Sequence, residues 1–216
     1  MTTLKKIGLR CPNCQLHFTS ATADDGEGRG RRRTDFQVCV DGLQPLPYAV
    51  HLCERCGFAG PQDWFRTNGQ VSAEVRRHVW NELAPRVRRD GMPPSEKFEF
   101  AAKVAEWDGA STRDVAELWL RAAWCCVNEG DSEAERFYRR HAVWRFEECF
   151  ADYTTDRAER PALAYLIGEL WRRIGDTACA TEWFERVPLE ITNEDEQGWY
   201  SVWAKRQQSD PLEWFV

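Results

Sequence analysis

Two pairs of cysteines, each with two residues between its members, are the side chains in this sequence best suited to metal chemistry. Cys11 and Cys14 form the first pair, and Cys53 and Cys56 form the second. Two thiolates on one tight turn can bind one side of a tetrahedral Zn²⁺, and a second such turn supplies the other two ligands. The pattern therefore predicts one structural zinc ion bound by four sulfurs, with no open position for water or substrate.

The spacing between the two pairs bears on the kind of zinc site. The intervening segment, 15–52, has 38 residues, which is longer than the roughly 15–20 of a compact finger. A ribbon with a long insertion is therefore expected. A thioredoxin-type redox site would need one pair at a strand-to-helix junction of a βαβ unit, and the sequence shows no such unit. His51 and Cys39 remain alternative ligands.

Composition limits the class of protein. The 216 residues are 43% apolar and 30% charged, which is typical of a soluble globular protein of one large or two small domains. No apolar run approaches the roughly 18 residues of a membrane span, and 1–10 lacks the apolar stretch of a secretory signal. We therefore expect a cytoplasmic protein that does not enter a membrane. Five further cysteines, mostly among apolar neighbours, are expected to be reduced: Cys39, Cys125, Cys126, Cys149 and Cys179.

Charge and tryptophan content divide the chain into two parts. Residues 1–70 carry nine Lys/Arg and seven Asp/Glu, whereas 71–216 carry 20 and 28. All 11 tryptophans lie from Trp64 onward. We expect an α+β, mainly α, protein with a small amino-terminal β zinc ribbon over 1–63. A tetratricopeptide-like helical-hairpin array is expected over 70–208, followed by a C-terminal tail over 209–216.

In the ribbon segment a strand is expected before each cysteine pair, and 4–18 is expected to form the first cysteine turn with its flanking strands. Residues 19–33 are rich in glycine and arginine without periodicity, which predicts an exposed loop. The alternation of apolar residues over 35–40 predicts a strand, and Asp41-Gly42 has the chemistry of a hairpin turn. A return strand is then expected at 48–52.

From Val71 the spacing of apolar residues changes to about 3.6, which predicts helices. Serines that precede the apolar stripes predict helix N-caps at Ser72, Ser95 and Ser111. Two final helices are expected over 177–187 and 194–207.

One helix pair matches the tetratricopeptide repeat pattern. Ala164, Gly168 and Trp171 fit its first helix, and Ala180 and Phe184 fit its second. A small residue is needed at position 168 because paired helices approach closely there. A weaker copy precedes this pair at a spacing longer than the roughly 34 residues of the repeat. The alternative is an ordinary helical bundle.

The motifs taken together resemble a known family. They are LKKIGLRCPNC (4–14), GRRRTDF (30–36), PLPYAVHLCERCGFAG (45–60) and IGELWRRIGD (167–176), the last followed by Ala180 and Phe184. Over most of the chain they resemble the bacterial domain-of-unknown-function family number twenty-two twenty-five. The resemblance implies amino-terminal cysteine knuckles followed by tetratricopeptide-like helices, with no assigned activity. Gln15 departs from the glycine usual after the first cysteine pair, which leaves the cysteines intact.

Three functional hypotheses follow. The first is a non-enzymatic adaptor that presents its helices to another protein. The second is nucleic-acid binding through phosphate contacts of Arg29, Arg31, Arg32 and Arg33; these arginines could instead contact an acidic face of the helical module. The third is an enzyme. Its site would be of an unrecognised kind, because the sequence lacks the H-E-x-x-H, G-x-S-x-G and phosphate-loop motifs.

The segment Leu212-Glu213-Trp214-Phe215-Val216 contains several large apolar residues. Leaving such side chains in water is unfavourable by roughly 1.5–3 kcal/mol each. We expect the segment to dock on the helical module of its own chain, near Trp199 and Trp203 or on the helix of Trp183. Docking on a second chain would give a dimer.

Overall fold

The computed structural model describes residues 3–23, 30–66, 71–152 and 154–215. Helices predominate in these ranges, and the fold is α+β, mainly α, as the sequence predicts. The strands are β1 (Leu4–Arg10), β2 (His17–Ala23), β3 (Gly30–Arg32), β4 (Val38–Val40), β5 (His51–Leu52) and β6 (Ala59–Gly60). The helices are α1 (Ala73–His78), α2 (Pro94–Trp107), α3 (Thr112–Glu129), α4 (Ser132–Ala151), α5 (Arg160–Ile174), α6 (Thr177–Glu190) and α7 (Glu194–Ser209).

The chain divides into two compact units. The first consists of Met1–Arg29 and Val40–Tyr138, and the second of Gly30–Cys39 and Arg139–Val216. This division groups Gly30–Cys39, which belongs to the expected ribbon, with the later helices. The division into two units reflects packing and does not show which segments fold independently. The domain boundaries expected at 63, 70 and 208 therefore stay a prediction.

The cysteine ribbon is built from two antiparallel strand pairs of the first unit. β1 pairs with β2 along its length, with Leu4 opposite Ala23 and Arg10 opposite His17. β5 pairs with β6 through only two residue pairs. Each strand pair encloses one C-x2-C turn, so the strands present the two turns that carry the cysteines.

The expected hairpin around Asp41-Gly42 is wrong. β4 pairs with β3, which precedes it, and β5 pairs with β6. The turn between β3 and β4 lies where a strand was expected: Phe36 has a φ of 69°, and the Arg33 N–H donates to the Gln37 carbonyl at 2.8 Å. A residue with positive φ cannot continue a strand, so the apolar alternation of 35–40 began inside a turn.

The loop expected over 19–33 is also partly wrong. Residues up to Ala23 belong to β2, and Gly30–Arg32 form β3. The part from 24 to 29 lies outside the described residues. Thr19 to Ala23 pair with Gly8 to Leu4 of β1, so strand pairing and not local composition decides their conformation.

Two of the three expected helix caps are confirmed. The Ser72 hydroxyl accepts a hydrogen bond from the Val75 N–H at 3.1 Å, and the Ser111 hydroxyl accepts one from the Asp114 N–H at 3.1 Å. Both satisfy a backbone donor in the first helical turn.

Ser95 is not a cap, because α2 begins at Pro94 and its N-cap residue is Pro93. The Ser95 hydroxyl instead donates to Glu129 at 2.6 Å and so binds α2 to the end of α3. Proline is favourable at the start of a helix because its missing N–H would have no partner there.

The second unit contains a closely packed helix pair, α5 and α6, and α7 packs against both. A Cβ atom added to Gly168 of α5 would lie 2.7 Å from Cδ1 of Phe184 in α6. Real Cβ contacts are not this short, and Phe184 is buried. The close approach expected at Gly168 is therefore confirmed.

We expect Gly168→Ala to lower the free energy of unfolding. Overpacking a core costs about 1–3 kcal/mol, while replacing a helical glycine by alanine gains at most about 1 kcal/mol. Gly198→Ala in α7 is the matched control, because its Cβ would meet only the flexible end of Glu194. Urea unfolding measures both variants. A Gly168→Ala protein as stable as the parent would contradict the close packing of α5 on α6.

Candidate functional site

The two C-x2-C turns have the same backbone geometry. The Gln15 N–H donates to the Cys11 carbonyl at 2.9 Å, and the Gly57 N–H donates to the Cys53 carbonyl at 2.8 Å. Each turn therefore closes with one hydrogen bond from the fifth residue to the first. The repeated geometry presents the two cysteines of each pair on one side of their turn.

Both turns end on a residue in the left-handed region. Gly57 has a φ of 78°, as expected of glycine, and Gln15 has a φ of 62°. This conformation costs a non-glycine residue roughly 1–2 kcal/mol. The Gln15 side-chain amide donates to the Pro12 carbonyl at 3.0 Å, which offsets part of that cost. Gln15 thus replaces glycine without changing the turn.

The structure brings all four predicted ligands together. The Cys11 and Cys56 sulfurs are 3.6 Å apart, those of Cys14 and Cys53 are 3.5 Å apart, and all four lie within 4.8 Å of one another. Four sulfurs about 2.3 Å from a tetrahedral zinc ion would be about 3.8 Å apart. Cys11, Cys53 and Cys56 are fully buried. The cluster therefore has the size and the enclosure of a closed metal site.

The sulfurs of Cys11, Cys53 and Cys56 also change one another's acidity. Side-chain hydrogen bonds with Cys11 and Cys56 lower the pKa of the Cys53 thiol. Hydrogen bonds with Cys53 and Cys56, together with burial, raise the pKa of the Cys11 thiol. The sulfurs are thus close enough to share protons, and a divalent cation can take the place of those protons.

The structure places neither alternative ligand in this cluster. The Nδ1 atom of His51 forms a hydrogen bond with the Ser20 hydroxyl at 2.9 Å. Burial, with a smaller contribution from Lys97, lowers the pKa of His51 and keeps the ring neutral. Cys39 belongs to the second unit.

The arginines proposed to contact an anionic partner contact their own chain. The Arg31 guanidinium lies 4.6 Å from the centre of the Trp214 ring, and that of Arg32 lies 4.7 Å from the centre of the Phe36 ring. Arg33 donates to Glu213 at 2.9 Å. Arg29 lies outside the described residues. The three described arginines are therefore engaged within the second unit.

The segment from Leu212 to Phe215 docks beside the end of β3, through an isolated antiparallel bridge between Arg33 and Trp214. The Thr34 N–H donates to the Glu213 carbonyl at 3.1 Å, and the Phe215 N–H donates to the Arg32 carbonyl at 3.1 Å. Main-chain hydrogen bonds of this kind are how an added strand binds to a sheet edge.

The Phe215 ring lies in a group of aromatic rings of the second unit. Its centre is 4.7 Å from that of Trp203, 5.8 Å from that of Trp199 and 5.9 Å from that of Phe36. The expected docking near Trp199 and Trp203 is therefore seen. Val216 lies outside the described residues.

A buried group of charged residues in the same unit escaped the sequence analysis. Arg139 donates to Asp35 at 2.9 Å, and both side chains are fully buried. Arg173 pairs with buried Glu169 at 2.7 Å and with Glu213 at 2.7 Å. The i,i+4 spacing of Glu169 and Arg173 was the one local signal of this group.

These charges hold two segments of the chain in place. Burial alone would raise the pKa of Asp35, but Arg139, Arg173 and Arg33 outweigh it and lower the value. Burial alone would likewise raise the pKa of Glu213, but Arg173, with Arg33 and Arg172, outweighs it and lowers the value. Both carboxylates stay ionised at neutral pH, so they anchor the β3–β4 turn and the 212–215 segment to the arginines.

Deletion of 213–216 is expected to destabilise the second unit without changing the molecular mass in solution beyond the deleted residues. Losing the Phe215 ring from its aromatic neighbours costs roughly 1.5–3 kcal/mol, or about 3–12 °C in melting temperature. Val202→Ala is the control, because Val202 lies on α7 and is 66% exposed. Calorimetry and light scattering measure both quantities. An unchanged melting temperature would contradict the docked segment.

The fold and the cluster define a mainly helical protein with a four-cysteine ribbon that can hold a metal ion. The family model described as "Uncharacterized protein conserved in bacteria (DUF2225)" matches residues 4–202. The chain therefore belongs to this bacterial family, which confirms the resemblance seen in the sequence. No curated protein and no solved structure matches the chain. Within the described ranges, the helices are too short or too polar to cross a membrane.

Proposed function

We propose that the chain is a zinc-stabilised, non-enzymatic adaptor whose second unit binds another protein. Two sulfur separations in the cysteine cluster, 3.6 and 3.5 Å, are close to the roughly 3.8 Å of a zinc ion bound by four thiolates, and all four sulfurs lie within 4.8 Å of one another. A zinc ion in this closed site would contribute folding energy and not chemistry.

The α5–α6 pair supports a tetratricopeptide-like scaffold. Gly168 and Phe184 meet where that repeat places a small and a large residue. In the preceding pair of helices, Trp119 of α3 stacks on Tyr138 of α4, with the ring centres 5.9 Å apart. Stacked helix pairs of this kind form extended binding surfaces, and this part of the proposal rests on likeness of fold.

The observation that carries the adaptor role is an open cavity on the second unit. It has a volume of about 680 Å³ and lies among α4, α6 and the start of α5. Ligand cavities in proteins span roughly 300–1,000 Å³. Leu189 on its rim is 81% exposed, so a partner bound in the cavity would contact it.

A photoreactive amino acid at Leu189 in the full-length chain tests the adaptor role in bacterial cells. We expect ultraviolet light to join the chain to a specific protein. The same amino acid at Val202, which is also exposed on the second unit, is the control. Crosslinking to no protein, or equally from both positions, would contradict the adaptor role.

The Arg29–Arg33 segment gives less support to a nucleic-acid role. Arg31 and Arg32 lie on aromatic rings, and Arg33 pairs with Glu213. Phosphate binding by these arginines would compete with each of those contacts. Protein binding is therefore the function that the geometry supports best.

A further inference from the structure

The cavity among α4, α5 and α6 has an aromatic wall. Phe150 and Trp183 pack edge to face with their ring centres 4.9 Å apart. The Trp183 indole N–H donates to Glu147 at 3.1 Å, and the Trp171 indole N–H donates to the same carboxylate oxygen at 2.8 Å. Two indoles thus fix the Glu147 carboxylate and hold the Trp183 ring at the wall.

Within the described part of the chain, a second carboxylate of the lining, Glu190, is neutralised by an arginine, unlike Glu147. Arg160 donates to Glu190 at 2.6 Å and to the Phe150 carbonyl at 3.0 Å, and its guanidinium lies 4.0 Å from the centre of the Phe150 ring. Both Arg160 and Glu190 are about four-fifths buried. This pair is part of the wall and leaves no net charge there.

Arg157 and Arg186 add two positive charges, so that with the negative charge of Glu147 the lining carries a net charge of about +1. Both line the cavity and are exposed. The Arg186 guanidinium lies 5.0 Å from the Phe150 ring centre and 5.1 Å from that of Trp183. Among the residues described, no carboxylate forms an ion pair with either guanidinium. The cavity is therefore a positive site in a part of the chain, 71–216, where acidic residues outnumber basic ones by 28 to 20.

We propose that this cavity binds an acidic peptide segment of a partner protein, in which a carboxylate lies next to a large apolar side chain. The carboxylate binds Arg186 and Arg157, and the apolar side chain packs on Leu189 and Trp183. The inference rests on the proposed adaptor function and names the chemistry of its partner. Arginine binds carboxylates by paired hydrogen bonds, so it favours such a segment over a neutral one.

The second unit already binds a segment of this chemistry elsewhere. Glu213 is held by Arg33 and Arg173, while the neighbouring Phe215 packs on Trp203. The combination of guanidinium and aromatic ring therefore accommodates an acidic and an apolar residue in this unit. The cavity repeats the combination with Arg186, Phe150 and Trp183 and leaves it open to a partner.

Fluorescence anisotropy with four labelled peptides tests the proposal on the full-length chain. Each peptide is amidated at its C-terminus, so that only side chains can carry a carboxylate. The peptide Glu-Glu-Leu-Phe should bind, whereas Gln-Gln-Leu-Phe and Glu-Glu-Ser-Ser should bind at least about tenfold more weakly, because each lacks one of the two contacts. Arg186→Glu should weaken the first peptide by about tenfold or more and should improve binding of Lys-Lys-Leu-Phe. Lys205→Glu makes the same charge change on α7 and should leave affinity within about twofold.

Equal binding of the neutral and acidic peptides, or equal effects of Arg186→Glu and Lys205→Glu, would overturn the proposal. If inorganic phosphate binds in a way that depends on Arg186 and the peptide Glu-Glu-Leu-Phe does not bind, the cavity is a small-anion site. That result would also overturn the proposal. The adaptor role is tested separately: a protein crosslinked at Leu189 with no peptide binding would leave that role intact and refute the acidic peptide.

Discussion

Replacing Cys53 by serine is expected to release the metal ion and unfold the ribbon. Serine lacks the thiolate, so the two turns lose the bond that joins them. Structural zinc contributes about 10–16 kcal/mol of apparent binding energy in small zinc domains. The β5–β6 pair has only two residue pairs and is too short to persist without the metal. Zinc analysis by mass spectrometry and circular dichroism of the purified chain measure both effects.

Cys39→Ser is the matched control for this experiment. Cys39 is a half-buried cysteine outside the cluster, so its replacement should leave one zinc ion per chain. A Cys53→Ser protein that retains stoichiometric zinc would refute the assignment of the four ligands. Loss of zinc from both variants would instead place Cys39 among the ligands.

Asp35→Asn is expected to be the second most damaging substitution. Asp35 faces Arg139, Arg173 and Arg33 in the interior of the second unit. Its removal takes one negative charge away from these buried arginines, and breaking a buried ion pair typically costs about 3–5 kcal/mol. Urea unfolding measures the loss.

Glu148→Gln provides the comparison, because Glu148 pairs with Arg145 on the surface of α4. An exposed pair of this kind contributes about 0–1 kcal/mol. Similar losses for Asp35→Asn and Glu148→Gln would show that the buried charges do not hold the unit together.

The pH dependence of the stability lost in Asp35→Asn follows from the direction in which the pKa of Asp35 is shifted. The pKa of Asp35 is lower in the folded protein than its ordinary value of 3.8. The stabilising contribution of Asp35 is therefore complete when the pH is above its pKa in the unfolded chain. It is lost as the pH falls through its lower pKa in the folded protein. The difference in unfolding free energy between the parent and Asp35→Asn should be constant near neutral pH and shrink below 3.8. Metal loss in acid affects both proteins and cancels in the difference.

The features that the sequence predicted correctly have local signals. The C-x2-C spacing identifies the four cysteines, because each pair must share one turn. Serine before an apolar stripe identified the caps at Ser72 and Ser111. The docking of Phe215 near Trp199 and Trp203 followed from the cost of exposing large apolar side chains.

The features that it missed depend on residues far apart in the chain. In the sequence, Asp35 is a polar residue in a short alternating stretch, and no neighbouring residue indicates that its charge is paired with that of Arg139. β3 pairs with β4 because of the turn at Phe36. The positive φ of this phenylalanine cannot be predicted from the amino-acid composition of the segment. The cavity likewise joins Phe150, Trp183 and Arg186 from separate helices.

X-ray absorption spectroscopy at the zinc edge of the purified full-length chain gives the decisive result on the cysteine cluster. The closed site requires one zinc ion per chain with a single shell of four sulfur atoms at about 2.3 Å. A shell that contains oxygen or nitrogen, or fewer than four sulfurs, would contradict the assignment of Cys11, Cys14, Cys53 and Cys56 as the four ligands of a closed site.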